Sequence, residues 1–232
     1  MAQTTLNDFI AAHTDQDQHS GMFEIENKST LQVNLNGAVY AKAGAMVART
    51  GEIKFSRKSM MADGLGGLFK KAVTGEGMSL MKMEGKGRVY LADANKRVHV
   101  IALQGESICV NGNDVLAVEM TLDTDITMIK SVAGFMTGGL FNVKISGNGL
   151  AAITTHGEPL LLPVSSSKGP VFTDPNATVA WSGNLTPSMH TDVSIGSLFG
   201  RTSGESVQMK FEGQGWVLVQ PYEEVPMMAQ NS

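Results

Sequence analysis

The chain has 232 residues, a formal net charge of −4, 42% apolar residues and 17% charged residues. This balance is typical of a soluble globular protein, and the acidic charge excludes the basic footprint of a nucleic-acid-binding protein, so we disfavour nucleic acid as a partner. Apolar runs end well before the roughly 18 residues of a membrane-spanning helix, so none is expected. The polar first twenty residues lack a secretory pattern, and the single cysteine, Cys109, cannot form an intramolecular disulfide. We therefore expect a cytoplasmic protein.

The first predicted element is a short helix from Leu6 to Ala12. Leu6, Phe9 and Ile10 recur with helical spacing, and Thr4 or Thr5 can cap the helix. A polar linker follows up to about residue 21. Beyond it, short segments alternate apolar and polar residues, and 26 glycines separate them at intervals that suit turns. This pattern predicts an all-β body of short antiparallel strands.

A ten-residue pattern of two apolar-alternating arms around a tight turn occurs three times. Its copies are Val39–Ala48, Ile108–Ala117 and Val171–Ala180. A second pattern follows each copy, as MKMEGKG from Met81, VKISGNG from Val143 and MKFEGQG from Met209. Repetition of this kind predicts three similar units, which we place at residues 22–94, 95–157 and 158–224. The helix and linker occupy residues 1–21, and a loose tail is predicted over residues 225–232.

Alternation within the second pattern predicts an inward apolar pair in every unit. The pairs are Met81 with Met83, Val143 with Ile145, and Met209 with Phe211. A Gly-x-Gly sequence follows each pair, but a strand comes next rather than the helix that a dinucleotide-binding loop needs. We therefore interpret these glycines as bulges or as close backbone approaches between neighbouring units.

A lysine occupies the same outward position in each unit: Lys82, Lys144 and Lys210. If the units are related by a pseudo-threefold rotation, the three ammonium groups form a ring that could bind an anionic ligand or partner. The alternative is that each lysine keeps an exposed strand soluble and blunts edge pairing, which is the interpretation we favour.

Glycine-rich apolar connections join the two patterns within each unit. Their candidate contact residues are Leu68, Phe69, Phe135, Met136, Leu140, Phe141, Leu198 and Phe199. If these connections project from the molecule, they would offer an apolar surface to a membrane or a protein partner. We favour burial between units or subunits, because apolar patches more often meet protein than lipid.

The residues do not predict an active site. No two of the five histidines stand at metal-ligand spacing, and the nearest approximation, His156 with Glu158, occurs in one unit only. Cys109 alternates with apolar residues in a predicted strand, so we expect a small packing role rather than reactivity. We expect no catalytic residues, no bound metal and no cofactor.

The ordered patterns carry a resemblance to a known family. The segments FEIENKSTLQVNLNGAVYAKAGAMVARTGEIKF and GLGGLFKKAVTGEG, with the repeated Gly-x-Gly strands, resemble the family of altered-inheritance-of-mitochondria protein twenty-four over nearly all of Met22 to Glu224. The resemblance implies a fold like that of the tryptophan RNA-binding attenuation protein, with three small antiparallel β-sandwich units in one chain and a nine-unit ring in a homotrimer. It also implies a link to membrane organisation in mitochondrial members, and it provides no catalytic residues to transfer.

The functional expectation is therefore a non-catalytic scaffold or binding protein of bacterial origin. It would act through repeated surfaces of a ring-like oligomer on a still unknown protein partner, with peripheral membrane contact as one version of this role. The alternative from another class is a small-molecule carrier or enzyme with pockets at the junctions between units.

Overall fold

The computed structural model describes residues 4–15, 21–57, 80–128, 141–190 and 207–224. The predicted tail over 225–232 and most of the glycine-rich apolar connections lie outside these ranges. The described chain consists of one short helix followed by antiparallel strands. The all-β prediction is confirmed.

Helix α1 spans Leu6–His13. It begins where Thr5 leaves the helical conformation and its side-chain oxygen accepts a hydrogen bond from the Asp8 backbone N–H at 3.2 Å. The predicted helix and its threonine cap are confirmed. None of its residues is buried, and its apolar side chains face solvent.

Fourteen strands follow the helix in the described chain, with a short 3₁₀ helix at Gly112–Asp114 between the fifth and sixth strands. They are β1 (Phe23–Asn27), β2 (Thr30–Lys42), β3 (Met46–Arg57), β4 (Leu80–Leu91), β5 (Arg97–Asn111), β6 (Val115–Glu119), β7 (Leu122–Met128), β8 (Phe141–Thr155), β9 (Leu160–Ser165), β10 (Val171–Thr173), β11 (Thr178–Ser182), β12 (Ser188–His190), β13 (Gln208–Phe211) and β14 (Gln214–Val219).

The strands form two antiparallel sheets. The larger sheet has 11 strands and runs β3-β4-β2-β6-β8-β5-β11-β14-β9, with β1 beside β2 and β7 beside β8. The smaller sheet has the order β10-β13-β12. Among the described strands, β3 and β9 are therefore the two ends of the large sheet, and β10 is one end of the small sheet.

We divide the strands into a first group (β1 to β4), a second group (β5 to β8) and a third group (β9 to β14). In each group the strand that carries the Gly-x-Gly pattern lies between the strand before the turn of the ten-residue pattern and the chain that follows the turn. Its register against the strand before the turn is the same in all three groups. Val39 pairs with Met83, Ile108 with Ile145, and Val171 with Phe211. Residues at matching positions of the aligned patterns are called equivalent below.

The apolar pairs predicted to point inward are all buried, and they lie in three core clusters. Each cluster is built mainly from one strand group. The first also takes Val98, Leu116, Ala117 and Ala152 from the second group, and the second takes Leu80 from the first group and Val179 and Ala180 from the third. Successive groups therefore share their cores, as expected for units too small to bury enough apolar surface singly.

The Gly-x-Gly prediction needs one correction. Gly85 has a φ of 145°, and a Cβ placed on it would collide with the backbone carbonyl of Glu52 on β3. Because β3 and β4 belong to the same group, the close approach lies within a unit rather than between neighbouring units. The glycine permits this approach because it has no side chain and tolerates positive φ.

Candidate functional site

Two joints connect the strand groups, and both use the same register. At the first joint Ala41, Tyr40 and Val39 of β2 pair with Ala117, Val118 and Glu119 of β6. At the second joint the equivalent residues Val110, Cys109 and Ile108 of β5 pair with Ala180, Trp181 and Ser182 of β11. In both joints the strand before the turn of one group's ten-residue pattern pairs with the strand after the turn of the next group's pattern.

In the first group the strand after the turn is β3, and no strand of another group pairs with it among the described strands. Residues 46–50 are all exposed, whereas the equivalent residues of β6 and β11 are buried almost throughout. Val47 is 62% exposed, and its equivalents Leu116 and Val179 are 0% exposed. Tyr90 and Arg88 of β4 pair with Ala48 and Thr50, and they alternate with the buried Val89 and Leu91, so they lie on the same side of the sheet as Ala48 and Thr50. We call residues 46–50 with Arg88 and Tyr90 the first-group face.

The third group lacks the other half of such a joint. Its strand before the turn, β10, pairs only with β13 among the described strands. Phe172 of this strand is 41% exposed, whereas its equivalent Cys109 is buried. Leu160 is 59% exposed, whereas its equivalent Leu31 is 0% exposed beneath the second group. We call Leu160, Leu162, Val171 and Val219, which are half-buried or exposed along this side, the third-group opening.

The sequence prediction missed both of these surfaces. A signal was present, because Arg49 stands where the second and third groups carry the apolar Val118 and Trp181. A charged residue at that position predicts a different environment for β3. The difference in burial between Val47 and its equivalents Leu116 and Val179 exists only in the folded chain.

The three lysines occupy equivalent positions in the middle strand of each group. Lys82 Nζ donates to Glu84 Oε2 at 2.8 Å, and Lys210 Nζ lies 2.9 Å from Glu212 Oε1. Lys144 is flanked in the sheet by Asp125 of β7 and Cys109 of β5. Neighbouring carboxylates thus reduce the positive charge that a lysine ring would offer to an anion, which supports the solubilising role.

Of the candidate apolar contact residues, Phe141 lies within the described chain. It begins β8, is half-buried and pairs with Met128 of β7. Leu68, Phe69, Phe135, Met136, Leu140, Leu198 and Phe199 lie outside the described residues.

His156, Glu158 and Cys109, the residues considered as metal-binding or reactive groups, do not lie together in one site. The His156 ring packs on Tyr222 at a centroid distance of 4.0 Å, while Glu158 forms an ion pair with Arg97. In the described residues no group of three or more His, Cys, Asp or Glu side chains has metal-binding geometry. Cys109 is buried in the third core cluster, and burial raises the pKa of its thiol, which leaves it protonated at neutral pH.

A buried polar cluster lies where the turns of the groups meet, and the sequence analysis did not anticipate it. Lys96 Nζ donates to Asp114 Oδ1 at 2.9 Å and to Glu224, while Lys42 Nζ donates to Asp93 Oδ2 at 2.7 Å. Lys96 and Asp114 are almost completely buried. Only Asp93 and Lys96 are close in sequence, and the cluster brings together four separate parts of the chain.

An open groove runs along β3 and β4 past Arg49, Ile53 and Gly85. It lies on the first group rather than at a junction between groups, so it does not match the predicted junction pockets. No helix in the described ranges has the length and apolar character needed to cross a membrane.

Comparisons with known proteins agree with this architecture. A solved structure of protein SPYM3_0169 from Streptococcus pyogenes superposes with a TM-score of 0.65 at 23% identity, covering 87% of this chain and 92% of that one. At this identity the likeness shows the fold alone. A comparison with curated proteins found no match. The model of the mitochondrial biogenesis AIM24 family matches residues 23–222, which include all fourteen strands. The chain therefore belongs to the AIM24 family, the family that its sequence patterns resemble.

Proposed function

We propose that the protein is a non-catalytic scaffold whose copies join head to tail. The observation that carries the proposal is the identical register of the two inter-group joints, together with one exposed half of the same joint at each end of the chain. The first-group face of one copy would receive the β10 edge and the third-group opening of its neighbour. Each half carries exposed apolar side chains, Val47 on the first-group face and Leu160 and Phe172 at the other end, which favours a protein partner over water.

The joint has a definite expected register. Continuing the pattern of the two internal joints pairs Thr173 with Ala48, Phe172 with Arg49, and Val171 with Thr50 of the next copy. The Arg49 guanidinium, which lies 5.9 Å from the Phe55 ring centroid, would then also reach the Phe172 ring. Pairing two exposed strand edges also removes a hazard, because unpaired edges are templates for uncontrolled association.

A head-to-tail contact closes into a ring when the rotation at each joint divides a full turn. In this proposal each strand group is one small β-sandwich unit, related to its neighbours by a pseudo-threefold arrangement like that of the tryptophan RNA-binding attenuation protein. Three copies then give a nine-unit ring, as the family resemblance implies. The ring would present every outward position nine times, so weak contacts with a protein or membrane-associated partner would gain avidity. The family description of mitochondrial biogenesis supports such an organising role.

Native mass spectrometry at micromolar concentration tests the assembly. We expect a complex of about 74 kDa, three times the chain mass of 24.7 kDa, because a closed ring satisfies every joint. Phe172→Lys should yield monomers, because it places a positive charge directly opposite Arg49 at the centre of the joint. Met120→Lys is the matched control, since Met120 is 44% exposed and lies at neither end surface. A monomeric wild-type protein, or a Phe172→Lys variant that still assembles fully, would contradict the proposal.

A further inference from the structure

The N-terminal helix is attached to the first-group face. Asp15 Oδ2 accepts hydrogen bonds from Arg88 Nη1 at 3.1 Å and from the Tyr90 hydroxyl at 3.2 Å. Farther along, the Asn34 side-chain amide donates to the Gly21 carbonyl at 2.9 Å, on the same side of the sheet. The carboxyl end of α1 therefore lies next to the surface on which another copy would bind.

An apolar stripe on α1 has no cover within the described chain. Leu6, Phe9 and Ile10 are 72%, 54% and 53% exposed, and their spacing places them on one side of the helix. A helix of eight residues is marginal in water without tertiary packing. Packing of the stripe against an apolar surface beyond the described chain would stabilise the helix.

The first-group face is less apolar than the surfaces that cover the other two cores. Its Arg88 stands where the second and third groups place Leu150 and Trp216, which pack on the cores of the preceding groups. Gln32 of the same side stands where the second group has Val100, which also packs on the first core. This face alone would leave part of the third-group opening, including Leu160, uncovered in a head-to-tail joint.

We infer that α1 of one copy packs its apolar stripe of Leu6, Phe9 and Ile10 against the third-group opening of the neighbouring copy. The helix supplies the apolar surface that the first-group face lacks, and the Asp15 contacts hold it beside the joint. The partner of this surface is a second copy of the chain. The inference rests on the proposed head-to-tail assembly and specifies its contacts.

A paired set of serine variants tests the role of the stripe. The triple variant Leu6→Ser, Phe9→Ser and Ile10→Ser should raise the dissociation constant of the joint at least about 100-fold, because the three side chains together lose at least about 3 kcal/mol of burial and every 1.4 kcal/mol is a factor of ten. The control triple variant Asn7→Ser, Ala11→Ser and Ala12→Ser alters the opposite side of the same helix and should change the constant less than about threefold. Since no residue of α1 is buried against the described strands, the circular dichroism of the β body should be unchanged in both.

Cross-linking between copies tests the position of the helix directly. One chain carries Phe9→Cys and a second carries Leu160→Cys, so a disulfide between the introduced cysteines can form only between different chains. Mixed chains should give a covalent dimer under mild oxidation, whereas Asn7→Cys mixed with Leu160→Cys should give much less. If wild type assembles but both triple variants assemble equally well and no cross-link forms, the helix inference is wrong and the scaffold proposal survives. A monomeric wild type contradicts both.

Discussion

At the scale of single residues, the buried Asp114 carboxylate shows how the fold changes the chemistry of one side chain. Its Oδ1 atom accepts from Lys96, and its Oδ2 atom has no hydrogen-bond partner among the described residues. Burial raises the pKa of Asp114 to about 7, because the Lys96 charge only partly offsets desolvation. Burial also lowers the pKa of Lys96, but the carboxylates of Asp114 and Glu224 outweigh it, and the net pKa is raised.

These shifts predict how stability depends on pH. A carboxyl group whose pKa is raised in the folded state contributes stability below its unfolded pKa of 3.8, and that contribution is lost as the pH rises through about 7. The free energy of unfolding of wild type, relative to Asp114→Asn, should therefore fall by up to about 4 kcal/mol between about pH 4 and about pH 8. Urea unfolding of both proteins in dilute, monomeric solution measures this difference.

The Asn variant is the control because it keeps the shape and removes the titration. The Lys96 charge is present in both proteins over this range, so its contribution does not create a slope. A difference in unfolding free energy that stays constant from pH 4 to pH 8 would show that Asp114 has an ordinary pKa.

At the scale of secondary-structure elements, the close contact between β3 and β4 depends on glycine. Gly85 and its cross-strand partner Gly37 both have positive φ, at 145° and 130°. A Cβ on Gly85 would meet the Glu52 carbonyl and the Ile53 Cα, whereas a Cβ on Gly37 has no heavy atom within 4 Å. The two sites therefore separate backbone strain from steric crowding.

We expect Gly37→Ala to cost about 1–2 kcal/mol of unfolding free energy, because alanine resists positive φ. Gly85→Ala should cost about 1–3 kcal/mol more, because β3 must also move away from β4. Chemical denaturation of the two variants measures the difference. Equal costs would mean that β3 is loosely held against β4 in solution.

At the scale of the whole molecule, head-to-tail assembly should couple stability to protein concentration. Association stabilises the folded chain by mass action, so raising the concentration from about 1 to about 100 µM should raise Tm by roughly 5 °C. Phe172→Lys, which opposes the Arg49 charge, should lose this dependence while keeping a cooperative transition, because its own cores are intact. Differential scanning calorimetry measures both. A wild-type Tm that does not change with concentration argues against assembly.

Local patterns in the sequence were sufficient to predict several features of the fold. Period-two alternation predicted the strands, Thr4 or Thr5 predicted the helix start, and the aligned patterns predicted which residues of the middle strands are buried. These predictions hold because side-chain direction alternates in a strand and capping depends on near neighbours. The family assignment followed from the same ordered pattern.

Which surfaces remain exposed without a packing partner depends on the tertiary structure. Val47 and Leu116 occupy equivalent positions with similar side chains, yet one is exposed and the other is fully buried. The difference arises because the second group has a preceding group to pack against within the chain and the first does not. Likewise, Lys96, Asp114 and Glu224 meet only after the turns converge, since burial and ion pairing depend on contacts between segments far apart in sequence. A sequence pattern can show that the same joint occurs more than once. Which group has an unpaired half of that joint depends on how the groups pack in three dimensions.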